Sequence, residues 1–251
     1  MSHDIELLLA MTEREIKARY KNAFFGFLWI ILNPVLQMIV IGTVFSFVFK
    51  VALVNYFPFL FTGLLLWNFF SATLTKVTPA IVFELSLIEK AVFSREVIVL
   101  AIILSNLFHT IISFVLFALF LLPFHRLVLW RFLLLPLPLL WISCLVAGIG
   151  LLTSSLNVRY RDVNFFVQAV LPLWFYATPI IYALSLLPQR LYLFLYLNPM
   201  VGIVETTRWI MLKEKLPELP LICVNLFITF LFLVLGILVF RNQSTHFDDW
   251  V

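Results

Sequence analysis

The stretch "VIVLAIILSNLFHTIISFVLFALFLL", Val97 to Leu122, runs its whole length without an aspartate, glutamate, lysine or arginine. An α-helix rises about 1.5 Å per residue, so this one reaches past the roughly 30 Å of a bilayer's hydrocarbon core. Comparable runs occupy 27–49, 57–83, 132–156, 165–184 and 221–240. The chain of 251 residues is 63% hydrophobic, with a mean hydropathy of +1.09. These features predict an all-α integral membrane protein with six transmembrane helices in a single domain. A transmembrane barrel would alternate apolar and polar residues along strands of about ten positions, and these runs are continuously apolar.

The flanks of the apolar runs differ in kind. Residues 1–25 read as an amphipathic helix, with Ile5, Leu8, Leu9, Ile16, Tyr20 and Ala23 at helical spacing. Glu6, Glu13, Arg14, Lys17 and Lys21 occupy its other faces. Such a helix lies along a membrane surface, and its mixed charges are unlike the short basic lead of a secretory signal. Pro34 interrupts the first run, and Pro172 and Pro179 break the fifth. Between 185 and 220 the apolar pieces shrink to about a dozen residues, too short to span. Asn198-Pro199 parts these two pieces, because the residue before a proline is pushed out of helical geometry. Two short re-entrant helices are expected there, with Glu205 and Arg208 three residues apart and placed to pair on one face.

An even number of spans puts both termini on one side. With those termini cytoplasmic, the same side holds Arg14, Lys17, Arg19, Lys21, Lys90, Arg95, Arg159, Arg161 and Arg241. The other side holds fewer lysines and arginines, and more than half of these fall in the 185–220 region, so the bias favours cytoplasmic termini. Lys76 is the one charge inside a span, near enough to its end to snorkel. The net charge of +4 then belongs to loops facing lipid head groups and not to a nucleic-acid surface. Cys144 and Cys223 fall within spans and are expected in the core.

Catalytic constellations are missing from the sequence. His3, His109, His125 and His246 show no metal-ligand spacing, so no metal site is assigned. His109 reads as a packed residue of span three. No carboxylate sits centrally in a span, as a proton-coupled transporter would require. The seven glycines never form the phosphate-binding G-x-x-x-x-G-K-[ST] pattern, so transport energy would come from a separate ATPase chain. A membrane enzyme of lipid or glycan metabolism would need clustered acids, histidines or metal ligands, and none is visible.

Several motifs fall in a characteristic order: "REIKARYK" (14–21), "GFLWIILNPVLQM" (26–38), "NVRYRDV" (157–163), "TPIIY" (178–182), "LNPMVGIVETTR" (197–208) and "FDDWV" (247–251). This series resembles the permease subunit of the ABC-2 type exporters of bacterial surface polysaccharides, whether O-antigen, teichoic acid or capsule. The resemblance covers nearly the whole chain. It implies a homodimer, joined by two copies of a cytoplasmic ATPase that bind ATP and Mg, so the chain itself is not an enzyme and carries no cofactor. It implies a lipid-linked, undecaprenyl-type glycan as cargo and a multi-pass place in the bacterial inner membrane. A family permease exporting a drug or another lipid is the alternative.

The same resemblance assigns roles along the chain. Residues 1–25 become an interface helix on the cytoplasmic surface. Residues 84–96, with Glu84, Glu89, Lys90, Arg95 and Glu96, become the segment that couples to the ATPase. Arg159, Arg161 and Asp162 mark the cytoplasmic mouth; from the residues alone, Asp162 is expected to pair with an arginine or cap span five. Residues 185–220 become an external gate, with Asn198, Pro199, Glu205 and Arg208. Sugar rings stack their C–H faces on aromatics, which makes Trp29, Trp67, Phe70, Trp174, Tyr176 and Tyr182 candidates to line the channel.

Overall fold

The computed structural model describes residues 2–20, 28–49, 53–84, 93–124, 129–212, 214–245 and 247. Among them there is no strand. The helices are α1 (Ser2–Tyr20), α2 (Trp29–Phe49), α3 (Leu53–Phe83), α4 (Glu96–Leu121), α5 (Leu129–Phe132), α6 (Pro136–Arg159), α7 (Asp162–Ala177), α8 (Tyr192–Leu197), α9 (Pro199–Met211) and α10 (Leu219–Ser244). Five of these segments are long and apolar enough to cross a membrane: Trp29–Phe47, Tyr56–Phe83, Glu96–Leu121, Trp130–Arg159 and Leu219–Ser244.

The fifth expected span, 165–184, is shorter in the structure. Its helix α7 has 16 residues, about 24 Å, and ends at Ala177. Pro179 forces Thr178 into an extended conformation (φ −100°, ψ 136°), which closes the helix. Beyond it come a turn, two 3-10 turns and the short helices α8 and α9. Asn198, extended before Pro199, separates those two as the sequence anticipates.

Helix α3 is the hub. It packs against α2, α4, α6, α7 and α9, and Leu60, Leu64, Phe70, Leu74, Val77 and Ile81 are wholly enclosed. Its apolar window is 72% buried against 17% for α2 and α10, which therefore present most of their surface outward. Helices α6 and α10 meet backbone to backbone. A Cβ on Gly236 would fall on the Gly148 carbonyl oxygen, and one on Gly148 would lie 2.5 Å from the Leu233 amide nitrogen. In lipid, where no hydrophobic gain draws apolar helices together, such small-residue contacts supply the van der Waals attraction. Trp141 Nε1 donating to Thr229 Oγ1 at 2.9 Å bonds the same pair. Thr78 and Thr153, 3.0 Å apart, join α3 to α6.

Two expectations about packing change. Cys144 and Cys223 are free thiols on outward faces of α6 and α10, not in the core. A helix apolar all round can turn any face to lipid, so a small hydrophobe carries no inward signal. In α1, Met11 is the buried residue and Leu7 and Leu8 pack beside it, whereas Ile5 and Leu9 remain exposed. The helix runs along the first half of α4, with Asp4 near Ser94 at one end and Arg19 bonded to Asn106 at the other.

Candidate functional site

Helices α2 and α7 flank α3 and leave an open groove of about 570 Å³ between them. Its floor is Leu64, Trp67, Asn68, Ser71 and Thr75 of α3, and its walls include Gln37, Gln168, Pro172, Phe175 and Tyr176. The lining combines aromatic rings with carboxamides and hydroxyls and, among the described residues, holds no charged side chain. Trp67 meets Phe175 at 5.3 Å between ring centroids, and Phe175 meets Tyr176 edge-on at 5.3 Å. Behind them Phe70 packs on Trp67 at 5.5 Å and on Trp174 at 5.0 Å. The amide of Asn68 donates to Gln37 Oε1 at 2.9 Å, tying α3 to α2 across the groove.

Of the aromatics expected to line a channel, Trp67 and Tyr176 do line this groove. Phe70 is wholly enclosed and supports the lining from behind. Trp174 and Tyr182 turn toward a second hollow beside α8, and Trp29 lines a separate cavity near the start of α2. The carboxamides Gln37, Asn68 and Gln168 were not singled out from sequence. Their signal would have been an amide in an otherwise apolar span.

The residues expected at a gate lie together at the end of the bundle away from α1. Arg208 is fully buried; its guanidinium donates to Pro179 O at 2.7 Å, Ile180 O at 2.9 Å and Glu205 Oε1 at 2.7 Å. The guanidinium carbon lies 3.4 Å from the centroid of the Phe59 ring. The expected i, i+3 pair therefore exists, and it also clasps the turn where α7 ends. Tyr56 donates to Ile181 O at 2.6 Å, fixing the same turn to α3. Asn198 accepts from Met200 N at 3.1 Å as the cap of α9 and from Trp174 Nε1 at 2.9 Å. Its amide donates to Thr178 Oγ1 at 3.0 Å. Pro199 supplies the preset first turn of α9.

Sequence reasoning missed Asn225. Its Oδ1 accepts from Gly202 N at 2.6 Å and its Nδ2 donates to Tyr196 O at 2.6 Å, so it binds both short helices to α10. Tyr196 donates its own hydroxyl to Glu218 Oε2 at 2.6 Å, and this bond to a carboxylate raises the phenol above its ordinary range. Arg131 reaches Trp209 O at 3.1 Å and lies over the Trp209 ring, joining α5 to the end of α9.

A model of the ABC-2 type transporter family matches residues 6–212. The chain belongs to that family. It is 32% identical over 214 residues to the O-antigen export system permease protein RfbA of Myxococcus xanthus, covering 84% of this chain and 82% of that protein. It is 29% identical over 248 residues to a protein of the same name from Klebsiella pneumoniae, covering 97% and 94%. The polysialic acid transport protein KpsM of Escherichia coli is 22% identical over 238 residues, covering 94% and 92%.

At the other end of this ABC-2 family chain, charges pair between helices. Arg14 bridges Glu84, Lys76 bridges Glu15 at 3.2 Å, and Glu96 accepts from Arg241 Nε at 2.9 Å. Lys76 thus meets α1 as well as reaching out of its span. Arg95 lies over the ring of Phe247, which is buried against Phe240. Within α1, Lys17 pairs with Glu13, and that hydrogen bond holds the Glu13 carboxyl below its ordinary range. Glu89 and Lys90 lie outside the described residues.

The α6–α7 turn is tied differently from what the sequence suggested. Asn157 Oδ1 accepts the amide of Asn164 at 3.1 Å, whereas Asp162 forms no ion pair among the described residues. Asp162 instead opens the first turn of α7, where a carboxylate meets the positive end of the helix dipole. Arg159 lies over the Tyr160 ring at 5.1 Å, and Arg161 is exposed beside it.

Proposed function

We propose that this chain is the membrane permease subunit of an ATP-driven exporter that moves a lipid-linked surface polysaccharide across the bacterial inner membrane. The observation that carries the reading is the lining of the α2–α3–α7 groove. Aromatic faces at Trp67, Phe175 and Tyr176 suit sugar rings, and the amides of Gln37, Asn68 and Gln168 suit hydroxyls. With no fixed charge, such a surface lets successive sugars slide instead of trapping one. The similarity to O-antigen and polysialic acid transport proteins along most of the chain supports the same cargo class.

A second copy of the chain, set against the open faces of α2 and α7, would close the groove into a channel. Two copies of a cytoplasmic ATPase, which bind ATP and Mg, would dock at the end bearing α1 and residues 84–96. Both termini then lie in the cytoplasm, and the α8–α9 network gates the outer mouth. Arg159 and Arg161 stand at the inner mouth, placed to meet an anionic lipid-linked head group. The test is co-expression with the ATPase, co-purification, and measurement of ATP-dependent glycan export by the pair. Stable association with glycan export is expected. A chain that binds the ATPase and moves a drug or lipid but no glycan would overturn the reading.

A further inference from the structure

The floor of the α2–α3–α7 groove lies at one depth of the bundle. Leu64, Trp67, Asn68, Ser71 and Thr75 recur at helical spacing along one face of α3. They occupy the middle of the span Tyr56–Phe83, about 12 Å from either of its ends. A fixed charge at that depth is costly unless it is paired, even where water enters, because the walls on both sides are of low dielectric. A polymer sliding over this floor therefore meets a surface that can tell charged units from uncharged ones.

The polar groups of the lining are partly committed to one another. Asn68 Nδ2 donates to Gln37 Oε1 at 2.9 Å, Gln168 Nε2 to Asn164 Oδ1 at 3.2 Å, and Thr75 Oγ1 to Ser71 O at 2.8 Å. What remains is mixed. Further amide hydrogens and the Ser71 hydroxyl can donate, while the carbonyls of Asn68 and Gln168 and the lone pairs of Thr75 accept. A sugar hydroxyl both donates and accepts, so it is satisfied anywhere along such a surface. An ionised carboxylate only accepts. The carbonyls repel it, and its charge meets no cation among the described lining residues.

We propose that the groove selects glycans whose repeating units are uncharged and rich in hydroxyls, and holds back polymers that carry a carboxylate in each unit. The inference rests on the reading of this groove as the cargo's path. Trp67, Phe175 and Tyr176 stack on C–H faces that neutral and acidic sugars share, so the rings do not make the choice. It falls to Gln37, Asn68 and Gln168, whose amides match hydroxyls and leave a charge uncompensated.

The test reconstitutes the full chain with the partner ATPase in proteoliposomes and follows ATP-driven movement of glycans on one polyprenyl diphosphate. The probes are oligomers of galactose, of galacturonic acid and of galacturonic acid methyl ester, which share a ring and differ only in its exocyclic carbon. Galactose and the ester should move, and the acid should move at least about tenfold more slowly. Recovery of speed in the ester, which lacks the hydroxymethyl group, would assign the barrier to charge. Gln168→Lys sets a cation on the groove wall and should raise the acid-to-galactose rate ratio about tenfold. Gln168 is exposed, so the substitution leaves the packing in place. Equal rates for acid and galactose, or an unchanged ratio in Gln168→Lys, would overturn the inference and leave the exporter reading standing. Failure of all three oligomers to move while the ATPase stays bound would overturn the exporter reading and this inference with it.

Discussion

At the end bearing α8 and α9 a single buried guanidinium satisfies two backbone carbonyls, a carboxylate and an aromatic face, and two asparagines fasten the short helices to α7 and α10. At the opposite end Arg14–Glu84, Lys76–Glu15 and Glu96–Arg241 are single ion pairs with at least one partly exposed partner each. The two ends use their charges in opposite ways. Losing a partner is costly for a buried polar group, so this network resists rearrangement. Exposed pairs contribute little and exchange readily with water, which would suit the ATPase-docking role proposed for this end.

Removing parts of each end tests that contrast. Arg208→Met should be the most damaging, leaving Glu205 and two carbonyls uncompensated at about 3 to 5 kcal/mol; unfolding titration of the purified chain reads it. Adding Glu205→Gln to that variant should restore part of the loss, and a strictly additive result would deny that the two side chains act as a unit. Gly236→Val should cost about 1 to 3 kcal/mol by forcing α10 off α6, seen in the same titration. Asn225→Ala should cost about 1 to 3 kcal/mol, because the Gly202 amide and the Tyr196 carbonyl lose their partner. Lys76→Gln should change stability by less than about 1 kcal/mol. Its effect should appear instead in coupling, as reduced stimulation of the partner's ATP hydrolysis by substrate. A large unfolding effect at Lys76 would erase the distinction between the two ends.

Much of this architecture was legible in the amino-acid order. Long uncharged runs fix the crossing helices, prolines at 179 and 199 fix where α7 stops and α9 starts, and the spacing of Glu205 and Arg208 fixes their pairing. The rest depends on facts a one-dimensional pattern does not carry. Helices apolar on every side offer no stripe to say which face turns inward. That is why Cys144 and Cys223 point outward and why Phe70 lies behind the groove lining and not on it. The fifth run read as one helix over 165–184 because its residues stay apolar past Pro179, although the helix ends at Ala177. Asn225 and the Gly148–Gly236 contact acquire their roles only when distant helices meet.

The central claim is that the α2–α3–α7 groove is the polysaccharide's path. In a background with Cys144 and Cys223 replaced by alanine, Ser71→Cys and Gln168→Cys each place a thiol in the groove. Labelling by a water-soluble maleimide should be ready in the resting transporter and should fall at least about tenfold once ATP and lipid-linked glycan are supplied together. An equal rate of labelling with and without translocating glycan would place the path elsewhere.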